Sequence, residues 1–185
     1  MSCPKTPPCE RSWTTLSQKV VYSGRPYLEV RQEEVRLPSG RTIPDFHEIW
    51  MPDYVVIFAE TDGEQVLLGR LYKQGVGTET LMFPGGSIDH GEEVLAAAKR
   101  ELLEETGYQA REWTVKAKMA VHGNYGCGHA HFVHAKGLTK IQEPPYDDTE
   151  ELAVEFHPRA VLRSLLLRGE IEVMDCAAML GVMGV

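Results

Sequence analysis

The stretch FPGGSIDHGEEVLAAAKRELLEETGY, residues 83–108, decides how the whole chain is read. It opens on Phe83-Pro84-Gly85-Gly86, where two glycines without a Cβ can bring bare backbone close to a ligand. From about Glu92 to Thr106 the residues read as a helix, and Gly107 is a C-terminal stop signal. Successive helical residues are about 100° apart, so Glu101, Glu104 and Glu105 fall within one arc of about 100°. Val94 and Ala97 share that arc, whereas Leu95, Leu102 and Leu103 lie on other faces and can pack inward. Arg100 stands four residues before Glu104 and can pair with it. Glu101 and Glu105 form a like-charge pair four residues apart, which costs an isolated helix roughly 0.2–0.5 kcal/mol. Neither has a Lys or Arg three or four residues away, although a sequence selected only for helix stability would place one there. One reading is a solvated acidic face. The other is an ion site: carboxylates with a backbone carbonyl make an all-oxygen ligand set, suited to Mg²⁺ or Mn²⁺ rather than zinc.

The rest of the chain agrees with an ordinary globular protein. Its 185 residues fit one domain of common size, and 43% hydrophobic with 25% charged residues can close a sizeable core. Nineteen Lys and Arg against 27 Asp and Glu give a net charge of −8, which argues against a nucleic-acid or anionic-membrane partner held by net positive charge. A polyanionic substrate would therefore need local neutralisation, which bound divalent ions would supply. Cys3, Cys9, Cys127 and Cys176 show no paired CxxC units, so reduced thiols in a cytoplasmic protein are expected. No secretory h-region is visible near the start, and apolar runs such as Tyr54–Ala59 are far shorter than the roughly 18 residues of a membrane span.

Along the chain, residues 1–18 read as a flexible, Pro-containing lead and 19–53 as an N-terminal β segment with a turn at Pro38-Ser39-Gly40. Residues 54–185 form the main domain. Tyr54 to Ala59 is a continuous β-rich run, expected to be buried on both faces, and Gln65 to Tyr72 is its returning strand. Glycines 75, 77, 85 and 86 mark a long loop leading to the helix. Trp113–Val121 and His129–Ala135 follow as strands of a Gly-rich hairpin, then a short strand Leu152–Phe156. Helices are expected over Arg159–Arg168, after Pro158, and over Met174–Leu180. Mixed strands with helices on their faces make an α/β sandwich.

Gly86, five residues, Glu92, seven residues, then Arg100-Glu101-Leu102-x-Glu104-Glu105-x-Gly107-Tyr108 resembles the Nudix box of the Nudix hydrolases. Every charged and glycine position is filled, and only Tyr108 stands where an aliphatic residue is usual. The resemblance implies a Nudix-type α/β/α sandwich with a mixed sheet and an N-terminal antiparallel β segment. It implies that Glu101, Glu104 and Glu105, with the Gly85 carbonyl, bind two or three Mg²⁺ or Mn²⁺ ions, that Glu92 supports the cluster, and that Arg100 orients a glutamate. Pro38-Ser39-Gly40-Arg41, Leu68-Gly69-Arg70-Leu71-Tyr72-Lys73 and Glu150-Glu151-Leu152-Ala153-Val154 are similar to the ADP-ribose pyrophosphatase branch. That branch draws a catalytic glutamate from the late acidic loop, which aligns with Glu150, or alternatively Glu151. It has a basic position at Arg70, which would contact a phosphate, and a dimerising N-terminal segment, which implies a homodimer. Two positions depart from the branch: Met82 replaces a glutamate, and no proline occurs between Pro84 and Pro144.

The implied activity is metal-dependent hydrolysis of a nucleoside diphosphate sugar, ADP-ribose to AMP and ribose 5-phosphate. The alternatives are another nucleotide (NADH, a dinucleoside polyphosphate, a GDP-sugar) or a non-catalytic Nudix-fold sensor. Gly86 and Trp50 complete the expected substrate contacts; Trp50 could stack on a base, although strand aromatics more often pack in a core or interface. Residues 122–134 crowd four histidines with Cys127, and His129 and His131 share a strand face. A transition-metal site or a substrate-facing histidine is conceivable there, but the spacing matches no established zinc pattern.

Overall fold

The computed structural model describes residues 12–143 and 152–185. These form two compact units: one takes the residues up to Pro52 with His122–Gly128, the other Asp53–Val121 with His129–Val185.

In the first unit, β1 (Thr14–Gly24), β2 (Leu28–Arg36) and β3 (Thr42–Trp50) pair antiparallel in sequence order. β1 begins at Thr14, inside the segment expected to be a flexible lead. Residues 42–50, within the expected N-terminal β segment, form β3 by pairing with β2 from Arg36↔Thr42 to Glu29↔Trp50. Gly40 adopts φ +84° in the turn between β2 and β3, and its N–H donates to Leu37 O, as Pro38-Ser39-Gly40 suggested. The Glu29 carboxylate, 7% exposed, accepts from Arg25 Nε at 2.9 Å and Arg31 Nε at 2.7 Å. β1 leaves Leu16, Val20, Val21 and Tyr22 exposed.

The second unit contains β4 (Tyr54–Glu60), β5 (Gln65–Lys73), β6 (Thr78–Met82), α1 (Val94–Thr106), β7 (Tyr108–His122), β8 (Gly126–Lys140), β9 (Ala153–Pro158), α2 (Leu162–Leu167, after a 3-10 turn at Arg159–Val161) and α3 (Met174–Met183), the last residue of β7 and the first three of β8 belonging to the other unit. β4 runs parallel to β8 from Tyr54↔Ala130 to Glu60↔Lys136 and antiparallel to β5, which also pairs with β6 and β9. Side chains alternate between two packed layers. Val55, Ile57, Ala59, Leu67, Val133 and Ala135 meet Ala97, Ala98 and Leu102 of α1. Val56, Phe58, Val66, Leu68 and Phe132 meet Leu162 and Leu165 of α2 and Met179 and Leu180 of α3. The continuous apolar run at residues 54–59 has this cause: a strand covered on both faces needs no polar side. The unit is thus an α/β/α sandwich on a mixed sheet.

Some boundaries differ from the sequence reading. The helix starts at Val94, because Glu93 is still extended at φ −78°, ψ 142°. β6 forms where a loop was expected. β7 and β8 are longer than the hairpin read from their apolar centres, and α2 is a single short helix ending at Leu167.

Candidate active site

The segment after β6 lies along β4. Val55 N–H donates to Gly86 O at 2.9 Å and Ile57 N–H to Pro84 O at 2.8 Å, while Ile88 N–H donates to Asp53 O. Gly85 therefore points its peptide N–H elsewhere, toward α1, and donates it to Glu105 Oε2 at 2.9 Å. In an extended segment the carbonyl of the same residue lies on the same side as its N–H. Both glycines are required by close approach. A Cβ on Gly85 would collide with the Val55 carbonyl oxygen; one on Gly86 would lie 2.5 Å from the Glu101 carboxylate. Gly107 ends α1 in the left-handed region at φ +75°, its N–H returning to Leu103 O.

Arg100 organises the acidic side chains. Its Nη2 donates to Glu92 Oε2 at 2.9 Å and to Ser87 O at 3.0 Å, and Nε to Glu92 Oε1 at 3.1 Å. Nη1 donates to Glu101 Oε1 at 2.7 Å and Glu104 Oε2 at 3.3 Å. The Arg100 guanidinium beside Glu92 keeps that carboxyl below its usual range, helped by the Asp89 N–H. The pairing with Glu92, Glu101 and Glu104 raises Arg100 itself against the opposing effect of burial. Burial pushes the Glu101 carboxyl up; Arg100 opposes that rise, and the charges of Glu104 and Glu92 add to it. A half-desolvated carboxylate among other carboxylates is stabilised by additional positive charge. In donor chemistry, Glu101, Glu104, Glu105 and the Gly85 carbonyl fit a hard divalent cation. As arranged here, no three or more His, Cys, Asp or Glu side chains among the described residues converge as metal ligands. Arg100 holds Glu101 and Glu104, and the Gly85 N–H holds Glu105.

The remaining expected site residues have the following partners. Arg70 projects from the face of β5 that carries Val66 and Leu68, the face covered by α2 and α3, whereas α1 lies on the opposite face. It forms a two-pronged pair with Glu155 of β9, at 2.6 and 3.3 Å. Arg70 is thus held in an ion pair between strands, its side chain still one-third exposed. Trp50 ends β3 in the first unit, and the Arg25 guanidinium sits 4.0 Å from its ring centroid. Glu150 and Glu151 lie outside the described residues. His129 and His131 do share a face, but both turn to Asp53: His129 Nδ1 is 3.2 Å from Oδ1 and His131 Nε2 is 3.1 Å from Oδ2. Asp53 and Lys118, whose Nζ is 3.0 Å from Asp53 Oδ2, were missed in the sequence. The only sequence signal was the two-residue spacing of the histidines, because residues 53, 118 and 129–131 meet through strand pairing alone.

A two-layered helix cover on a mixed sheet, with the glutamate helix packed behind a Gly-Gly segment, defines a class. The chain belongs to the NUDIX domain family, matched over residues 50–174, and is a pyrophosphohydrolase of that family. Residues 13–47 match the nucleoside diphosphate sugar hydrolase N-terminal domain. Among its relatives, the ADP-ribose pyrophosphatase of Bacillus subtilis (strain 168) is 26% identical over 161 residues, 87% of this chain and 85% of the relative. The ADP compounds hydrolase NudE of Escherichia coli (strain K12) is 36% identical over 137 residues, 72% and 73% of the two chains. A crystal structure of an ADP compounds hydrolase superposes with a TM-score of 0.82 at 25% identity, covering 94% of this chain and 93% of the other. Nudix hydrolases generally use divalent metal ions. No helix among the described residues is long and apolar enough to cross a membrane.

Proposed function

We propose that this chain hydrolyses the pyrophosphate bond of a nucleoside diphosphate sugar, with ADP-ribose as the substrate and AMP and ribose 5-phosphate as products. The observation that carries the reading is the juxtaposition of Glu101, Glu104 and Glu105 with the Gly85-Gly86 segment, braced by Arg100. The printed activities of the relatives, on ADP-ribose and on ADP compounds, support the substrate.

In this mechanism Glu101, Glu104, Glu105 and the Gly85 carbonyl hold two or three Mg²⁺ or Mn²⁺ ions. When bound, such ions neutralise the diphosphate oxygens and acidify a water. Arg100 fixes Glu101 and Glu92 in place, and the Gly85 N–H fixes Glu105. Glu150, or Glu151 in its place, takes the proton of the attacking water. The exposed apolar side chains of β1 support a homodimer formed through the N-terminal β segment (residues 19–53). Free Cys127 and Cys176 are consistent with a cytoplasmic setting.

A second reading, another nucleotide substrate, is favoured by Met82. It stands where the ADP-ribose pyrophosphatase branch has a glutamate, and here packs against the core beneath α2 and α3. A panel assay with Mg²⁺ separates the readings: release of nucleoside monophosphate is measured from ADP-ribose, NADH, a dinucleoside polyphosphate and a GDP-sugar. The highest kcat/KM is expected for ADP-ribose. A higher value for another member replaces the substrate, and release from none of them makes the chain a nucleotide sensor.

A further inference from the structure

Asp53, His129 and His131 occupy a definite place relative to the glutamate helix. Val55, Ile57 and Ala59 of β4, and Val133 and Ala135 of β8, face α1. By the alternation of side chains along a strand, Asp53, His129 and His131 lie on that same face. His131 is the register partner of Val55, and Val55 in turn bonds to Gly86, beside which the Glu101 carboxylate lies. Gly86 and His131 are therefore two strand spacings apart, about 10 Å, on one face of the sheet.

Asp53 is fully engaged. Oδ1 accepts the His129 backbone N–H at 2.9 Å and faces His129 Nδ1; Oδ2 faces His131 Nε2 and Lys118 Nζ. Burial alone would raise this carboxyl, but the donors from His131, Lys118 and His129 outweigh it and hold it far below the usual range. One carboxylate thus orients three nitrogenous side chains. His131 is 10% exposed, whereas Lys118 and His129 remain 49% and 44% exposed at the side chain. Lys118 keeps further N–H groups beyond its contact to Asp53, on a chain that carries a net charge of −8. An ammonium group such as that of Lys118 makes strong charge-assisted hydrogen bonds to phosphate oxygens.

We infer that Lys118 and His129, positioned by Asp53 and backed by His131, form a subsite for the substrate's phosphate chain. The subsite rests on the pyrophosphohydrolase reading above. Lys118 contributes a point charge with spare protons, and His129 an imidazole held in orientation by its ring contact to Asp53.

The test is calorimetric titration of ADP and of adenosine, in EDTA, into the full-length wild type, the double variant Lys118→Met/His129→Gln, and Lys118→Arg. NMR detection of the His129 ring accompanies the wild-type titration. The double variant is expected to bind ADP about tenfold or more weakly, adenosine binding being unchanged, and Lys118→Arg to retain ADP affinity. In the wild type ADP, unlike adenosine, should shift the His129 ring resonances. Equal ADP affinity in wild type and double variant, or equal weakening of ADP and adenosine, overturns the subsite. The two readings fail separately. A chain that releases no monophosphate in the panel assay but shows the ADP-specific shift keeps the subsite and loses the hydrolase activity. One that turns over ADP-ribose with the same KM in wild type and double variant loses the subsite only.

Discussion

Gly85 and Gly86 are adjacent and both close to other atoms, yet a methyl group added to each meets a different obstacle. At Gly85 the obstacle is the backbone oxygen of Val55, which cannot move without displacing β4. Gly85→Ala is expected to lower stability by about 3 kcal/mol, read from urea unfolding. At Gly86 the obstacle is the far end of a side chain, the Glu101 carboxylate. Gly86→Ala should leave stability within about 0.5 kcal/mol, yet weaken Mn²⁺ binding about tenfold or more by moving that carboxylate. Glu29 offers a pH test in the first unit. Arg25 and Arg31 lower its carboxyl from 4.5 to about 2. A carboxyl depressed in the folded state adds stability above its unfolded value and loses it as pH falls through the folded one. The melting-temperature advantage of wild type over Glu29→Gln should therefore be full near pH 7 and disappear between about pH 5 and pH 2.

At the scale of elements, α1 combines two opposing requirements: it buries Ala97, Ala98 and Leu102 completely while carrying Glu101, Glu104 and Glu105 one turn along from Ala97. Leu102→Ala is expected to cost about 2–5 kcal/mol, measured by chemical denaturation, because the cavity lies against β4 and β8 and cannot easily collapse. The arc of Glu101, Glu104 and Glu105 was legible in the sequence because helical geometry is local. The same holds for the double-faced burial of β4, written as an unbroken apolar run. β6 was not legible: Thr78-Glu79-Thr80 carries no apolar alternation after the glycines, and the strand exists through its pairing with β5 and through the bond from Leu81 N–H to Glu170 O. The pairing of Arg70 with Glu155 was not legible for a related reason. Which face of a sheet a strand residue takes is set by its register with distant partners, here Glu155 of β9, 85 residues away. Asp53 and Lys118 were invisible for the same reason.

For the whole molecule the governing quantity is charge. A chain of net charge −8 that acts on an anhydride of phosphate needs positive potential locally, and Arg100 does not supply it, being shared among Glu92, Glu101 and Glu104. Divalent cations bound by Glu101, Glu104 and Glu105 supply it in the proposed reaction. The most direct measurement is an electron paramagnetic resonance titration of Mn²⁺ into the wild type and into Glu101→Gln/Glu105→Gln, with circular dichroism showing both folded. The wild type should bind Mn²⁺ at least about tenfold more tightly than the variant, and Mn²⁺-supported release of AMP from ADP-ribose should vanish with the lost binding. Equal Mn²⁺ affinity and equal turnover in the two proteins would contradict the account.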